Sequence, residues 1–200
     1  MPPVISALVP AAGASRRMGR PKLLLPLGDR TVLGYCLDAL AAPGVAERLV
    51  VAAPADAAVQ AEAEACGARV VMRLPGETPD MAGSVRSGFR AAAAAAAGFL
   101  VLPADHPLVR RQTVAALAAA FQAAPSAILL PRYRGRRGHP ALFPRAVLET
   151  LAPGLTLRDL LRRHAALVRE VPVTDPGIFL DIDTPADYRR CLGLAALEEG

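Results

Sequence analysis

Over its first 130 residues the chain alternates short apolar runs with segments of helical character, and few folds accept that rhythm. Residues 4–9, 48–53, 69–72, 99–102 and 127–130 are short apolar runs that read as buried strands. Between them, residues 32–41, 56–66, 84–97 and 113–123 read as helices. Thr31 can cap the first, which Pro43-Gly44 ends, and Gly67 stops the second. Ser84 can cap the third, which is expected to continue through the alanine tract 91–97, because alanine is the best helix former. Strict alternation of this kind calls for a largely parallel sheet with helices on both faces.

After residue 130 the rhythm breaks. Residues 132–138 form a basic, Gly-flanked loop, and 140–143 read as a short strand outside the simple alternation. Helical segments at 146–151 and 157–164 precede a strand near 168–173. The last helix is expected to open at Thr184-Pro185, with Thr at the cap and Pro at the first helical position. No linker or repeat interrupts this order, so one domain over residues 1–200 is the expectation, large enough to bury a substantial core.

Composition narrows the partners. The net charge of +5 suits an anionic ligand, yet aromatic residues make up only 4% and show no Arg/aromatic stacking pattern, so nucleic acid is not expected. A small molecule bearing a polyphosphate fits better. No apolar run reaches the roughly 18 residues of a membrane span, and the first residues lack the basic and apolar regions of a secretory signal, so no membrane partner and a cytoplasmic location are expected. Cys36, Cys66 and Cys191 are widely spaced and form no C-x-x-C pair, which reads as free thiols. Of 23 basic residues, Lys22 alone is a lysine. A compact ammonium in a chain that otherwise uses arginine marks a position where a point charge is needed.

In open parallel sheets, ligands bind beyond the carboxyl ends of the strands, and the unusual residues sit there. After the first strand comes Pro10-Ala11-Ala12-Gly13-Ala14-Ser15-Arg16-Arg17-Met18-Gly19-Arg20-Pro21-Lys22. Small residues let backbone amides approach phosphate oxygens, and Arg16, Arg17 and Lys22 add full charges. The loop is neither a Walker sequence nor a dinucleotide fingerprint. After the fourth strand, Asp105 in Pro103-Ala104-Asp105-His106-Pro107-Leu108 is placed to hold Mg²⁺ together with substrate phosphates. Asp181-Ile182-Asp183-Thr184-Pro185 offers a second acidic centre, where either aspartate can be a ligand or merely a helix cap. His139, within Gly135-Arg136-Arg137-Gly138-His139-Pro140, is a candidate for an anionic substrate; His106 and His164 carry weaker signals.

Taken together, the loop at 11–22, Pro-Ala-Asp-x-Pro-Leu, Gly-Arg-Arg-Gly-His-Pro and Asp-Ile-Asp-Thr-Pro-x-Asp-Tyr resemble the molybdenum cofactor nucleotidyltransferases, especially the cytidylyltransferase branch. The resemblance spans residues 5 to 188. It implies a three-layer α/β/α sandwich, a Rossmann-like nucleotidyltransferase fold around a mostly parallel mixed sheet. It also implies transfer of CMP from CTP to molybdopterin or the molybdenum cofactor, with release of pyrophosphate and a molybdoenzyme as eventual client. On that resemblance Ala11, Ala12, Gly13, Ala14, Ser15, Arg16, Arg17 and Lys22 handle the triphosphate. Asp105 and Asp183 match the Mg²⁺ ligands, and Ser84 and Gly88 lie in the segment lining the nucleoside pocket. Arg136, Arg137 and His139 receive the pterin. Two departures stand out: Asp80 occupies a position where the family usually has Gly, and Pro10 one where Leu is commoner. The guanylyltransferase branch carries two glycines where this chain has Ala12-Gly13, and the added methyl favours cytosine over a purine.

Overall fold

The computed structural model describes residues 2–12 and 21–198. Its centre is β1 (Val4–Pro10), whose residues point alternately to the two faces of a sheet. Ile5, Ala7 and Val9 enter one apolar cluster and Leu8 enters another. The chain then forms a small hairpin, β2 (Pro26–Leu27) with β3 (Arg30–Thr31), and α1 (Val32–Leu40), capped by the Thr31 side chain as expected. Next come β4 (Val45–Ala52), α2 (Ala57–Ala65), β5 (Arg69–Met72), α3 (Met81–Ala91), β6 (Ala96–Val101) and α4 (Arg111–Ala123). The remainder is β7 (Ile128–Tyr133), β8 (Arg136–Arg137), β9 (Ala141–Pro144), α5 (Arg145–Leu148), α6 (Leu157–Arg163), β10 (Val168–Pro172) and α7 (Pro185–Glu198).

The main sheet runs β10-β7-β9-β6-β1-β4-β5, with β8 paired to β7. β1, β4, β5 and β6 are mutually parallel neighbours, with Leu8 standing between Leu49 and Val101. β9 runs antiparallel to both β6 and β7, which makes the sheet mixed. Helices cover both faces. Leu33 and Leu37 of α1, Leu117 and Phe121 of α4 and Cys191 of α7 pack on one side; Val85 of α3, Val147 of α5 and Leu160 of α6 pack on the other. Phe99, Phe121 and Phe143 are fully buried in these two layers, each contributing about 1.5–3 kcal/mol of transfer free energy. The expected three-layer α/β architecture is present, and all three cysteines are free thiols.

Three local expectations are corrected. Ser84 does not cap α3: Asp80 does, its carboxylate accepting from the Gly83 amide at 2.7 Å, while Ser84 lies inside the first turn. The alanine tract does not extend that helix. Ala91 ends it, and Ala96 enters β6 paired to Val4, because sheet pairing and burial outweigh a helix preference of tenths of a kcal/mol per residue. The basic loop at 132–138 is in fact the β7–β8 hairpin, turning through Arg134 and Gly135 with positive φ.

Candidate active site

Three segments far apart in sequence meet beyond the carboxyl ends of β1 and β6. Lys22 stands on a short 3-10 turn, Lys22–Leu24, held by burial of Leu23 and Leu25. Asp105 lies in the loop after β6. Asp183 lies just before α7, and the Ile182 amide donates to the Asp105 carbonyl at 3.0 Å, locking the two acidic segments edge to edge. The Lys22 ammonium donates to Asp105 Oδ2 at 2.7 Å and to Asp183 Oδ1 at 3.0 Å.

Of the two neighbouring aspartates, Asp183 is the one that meets Lys22. Thr184 caps α7 as expected, its hydroxyl accepting from the Asp187 amide at 3.2 Å, and the Asp187 carboxylate completes a capping box by accepting from the Thr184 amide at 2.8 Å and the Thr184 hydroxyl at 2.7 Å. Asp183 is thereby spared for Lys22, and Asp181 sits exposed at the edge of the neighbouring cavity. His106, which the sequence signalled only weakly, is buried against Asp105, its Nδ1 at 3.0 Å from Oδ1. A carboxylate can only accept, so Nδ1 carries the proton. Asp105 is thus held from both sides, one oxygen by a histidine and the other by a lysine.

Charge states follow from these contacts. Burial works to raise the Asp105 pKa, but the hydrogen bonds from His106 and Lys22 outweigh it and hold the carboxyl well below the usual range. Burial likewise opposes the Lys22 charge, and the hydrogen bonds and charges of Asp105 and then Asp183 overcome it, raising the ammonium above its ordinary value. His139 goes the other way. Burial, helped by the charge of His106, pushes it down to about 4, so it is neutral at physiological pH.

Two cavities open on this centre. The smaller, about 270 Å³ among the described residues, is lined by Pro10, Ala11, Ala12, Lys22, Asp80 and Ser84, among others. The larger, about 860 Å³, extends to His139, Arg136 and Arg158, and its walls include Leu130, Phe143, Leu157 and Ile178. They share Asp80, Met81, Pro103, Asp105 and Asp183, so the acidic pair stands where the two spaces join.

The residues singled out from sequence distribute accordingly. Ala11, Ala12, Lys22, Ser84, Asp105 and Asp183 line the smaller cavity. Gly88 does not: it faces the sheet, where a Cβ would meet Val51 at 3.0 Å and Leu8 at 3.1 Å, so its small size serves helix–sheet packing. Gly13, Ala14, Ser15, Arg16 and Arg17 lie outside the described residues. On the far side, Arg136, Arg137 and His139 do converge on the larger cavity. Arg136 lies over the Phe179 ring at 4.5 Å, and Arg137 pairs with Glu170 at 2.6 Å. Gly138 brings this loop against the 176–179 turn so tightly that a Cβ would stand 2.4 Å from the Ile178 carbonyl. Arg158 also lines this cavity and was not foreseen, because on the sequence it is one arginine among many on a short helix.

The donor set can be tested against a metal. Two carboxylate oxygens already converge on one cation, and both are hard ligands. Among the described residues no cluster of three or more His, Cys, Asp or Glu forms. That pattern fits an ion such as Mg²⁺, which takes one or two carboxylates and completes its shell with water and substrate phosphate. It does not fit an all-protein cage.

Known proteins share this arrangement of strands and loops. A curated relative from Paenarthrobacter nicotinovorans, named nicotine blue oxidoreductase, is 30% identical over 95% of this chain and 97% of its own. The 2-C-methyl-D-erythritol 4-phosphate cytidylyltransferase of Frankia casuarinae is 33% identical over 94% of this chain, which spans 62% of that protein. The crystal structure of Rv0371c from Mycobacterium tuberculosis H37Rv superposes with a TM-score of 0.82 at 32% identity, covering 96% of this chain and 99% of that one. The same protein has also been solved in complex with manganese, with a TM-score of 0.77 at 30% identity, covering 96% of this chain and 100% of that one. No helix among the described residues is long and apolar enough to cross a membrane. The family profile that matches residues 7–171, most of the length, is that of the MobA-like NTP transferase domain, and the chain belongs to this family of nucleotidyltransferases.

Proposed function

We propose that this chain is a single-domain cytidylyltransferase, residues 1–200, that transfers CMP from CTP to the terminal phosphate of molybdopterin or the molybdenum cofactor and releases pyrophosphate in the cytoplasm. The observation that carries this reading is the second cavity. A space of about 860 Å³ with apolar walls and arginines at its edge meets the nucleotide-side cleft at Asp105 and Asp183. Its volume lies toward the upper end for small-molecule sites, which favours a bulky, flat phosphorylated acceptor over a three- to five-carbon metabolite. Ala12, lining the smaller cleft, supports cytosine over a purine.

A phosphate monoester is already ionised at neutral pH, so the transfer needs positioning and charge neutralisation more than a base. Lys22 would stabilise charge on the α-phosphate, and Arg17 the departing pyrophosphate. Asp105 and Asp183 would hold Mg²⁺, which supplies a clamp on nucleophile and leaving group. Arg136, Arg137 and His139 would receive the acceptor, and because His139 is neutral at working pH it would serve by hydrogen bonding while the arginines meet charge. A client molybdoenzyme would take the product.

A second reading, an acceptor of another chemical type, is favoured by the Frankia relative's name. Pyrophosphate release separates them. With Mg²⁺, the chain is expected to turn over CTP plus molybdopterin or the molybdenum cofactor, with GTP slower. Turnover with 2-C-methyl-D-erythritol 4-phosphate alone would overturn the acceptor, and turnover with GTP alone the base. Tight cofactor binding without release from either nucleotide would make the protein a carrier.

A further inference from the structure

Lys22 does more in this structure than wait for a phosphate. Its ammonium stands between Asp105 Oδ2 and Asp183 Oδ1, bonding both at 2.7 and 3.0 Å, in the space a cation shared by those carboxylates would take. The side chains are 14% exposed for Lys22, 23% for Asp105 and 36% for Asp183, so water screens the Asp105 contact little and the Asp183 contact more. We propose that Lys22 is the site's resident counter-ion: in the nucleotide-free protein it competes with the divalent metal for the same two oxygens, so that metal is admitted only together with a nucleotide.

Two half-buried carboxylates facing one point repel each other unless a cation stands between them, and Lys22 is that cation. A divalent ion needs those oxygens at close range and repels the ammonium, so metal binding and the Lys22 ion pair exclude each other. A triphosphate entering the cleft that Lys22 also lines gives the ammonium a new partner and brings oxygen ligands for the metal. Metal and nucleotide therefore assist each other, and metal alone is turned away. The choice of lysine follows: its flexible stem can swing from carboxylate to phosphate, whereas an arginine fork would be held flat against the acidic pair. This inference rests on the nucleotidyltransferase reading only for the identity of the ligand that draws Lys22 away.

The test is Mn²⁺ binding to the nucleotide-free protein, followed by electron paramagnetic resonance. Lys22→Met is expected to bind Mn²⁺ at least tenfold more tightly than the unaltered chain, and Lys22→Gln, which keeps hydrogen-bond donors without charge, to gain likewise. Adding Asp183→Asn to either variant should abolish the gain, which places the ion at this pair. Equal or weaker Mn²⁺ binding by the charge-removing variants overturns the proposal. Because Lys22 is the sole lysine, its side-chain amino group gives one assignable lysine NMR signal in the unaltered protein. Millimolar Mg²⁺ alone should leave that signal in place, and Mg²⁺ with CTP should move it; displacement by Mg²⁺ alone would overturn the idea without any variant. Pyrophosphate release is measured separately, so failed turnover with intact Mn²⁺ behaviour refutes the function and leaves the counter-ion role standing.

Discussion

The two cavities that meet at Asp105 and Asp183 are built from different parts of the fold, and the contrast teaches how such a site divides its work. The smaller cavity, the nucleotide side on the proposed reading, is built largely from loops that follow the parallel strands β1 and β6 and from the start of α3, with small residues and one lysine close at hand. The larger cavity, the acceptor side on the same reading, comes from the antiparallel part of the sheet, the β7–β8 hairpin and α6, with apolar walls and arginines. On the proposed reading, charge handling common to any triphosphate would therefore sit on the regular scaffold. Recognition of the second substrate would sit where the alternation has ended. Substitutions on the two sides should fail in different ways.

The largest effect is expected at the junction. Lys22→Ala should lower turnover by about 10²–10³, comparable to losing another donor of transition-state charge stabilisation, with the circular dichroism spectrum unchanged. Near-normal turnover would remove Lys22 from the chemistry and leave the nucleotide side without its distinguishing residue.

Next comes the strut between the two sides. Arg86, buried on α3, meets Glu77 of the preceding loop at 2.6 Å and reaches the Ala152 carbonyl at 3.3 Å, just ahead of α6. Arg86→Met leaves Glu77 buried with Arg90 as its remaining cation, and should cost about 3 kcal/mol in a urea melt. A loss confined to a few tenths would mean the two sides are not tied through this residue.

A smaller effect should separate the substrates. Arg158 has no carboxylate partner among the described residues, while its neighbour Asp159 is occupied by Thr156 in a capping box and by Arg162. Arg158→Ala should raise KM for the acceptor about tenfold, the worth of one partly solvated charge contact, and leave KM for the nucleotide unchanged. A parallel rise in both would erase the division of labour.

How far the sequence reaches follows the same border. β1, β4, β6 and β7 were legible because burial inside the sheet leaves apolar runs, whereas β5, at the edge, has no buried residue. β9 was visible as a short run, but its antiparallel insertion between β6 and β7 was not, since pairing direction leaves no mark on four buried residues. Asp105 and Asp183 could be named from their loops. Their meeting with Lys22, across 83 and 161 residues, could not, because it depends on the Ile182–Asp105 backbone contact. His106 escaped for a related reason: a histidine beside an aspartate in sequence says nothing of whether ring and carboxylate face each other.

The smallest effect is expected from pH. His139 is held near 4 in the folded chain, below an ordinary histidine value of about 6.5, so between those values the unfolded chain binds the extra proton. Stability from this group is complete above about 6.5 and is lost as pH falls toward 4. The ring is only partly shielded, which discounts the effect to on the order of 1 kcal/mol. Asp105 acts in a separate window: its folded pKa is depressed, so its contribution persists at pH 5 and is lost only below the ordinary carboxylate range. A urea-melt series from pH 7 to 4.5 should therefore show a decline that His139→Gln flattens, with Asp105 still ionised throughout. If the variant keeps the slope, the titrating group lies elsewhere, and the neutral histidine ceases to distinguish the acceptor side from the charged nucleotide side.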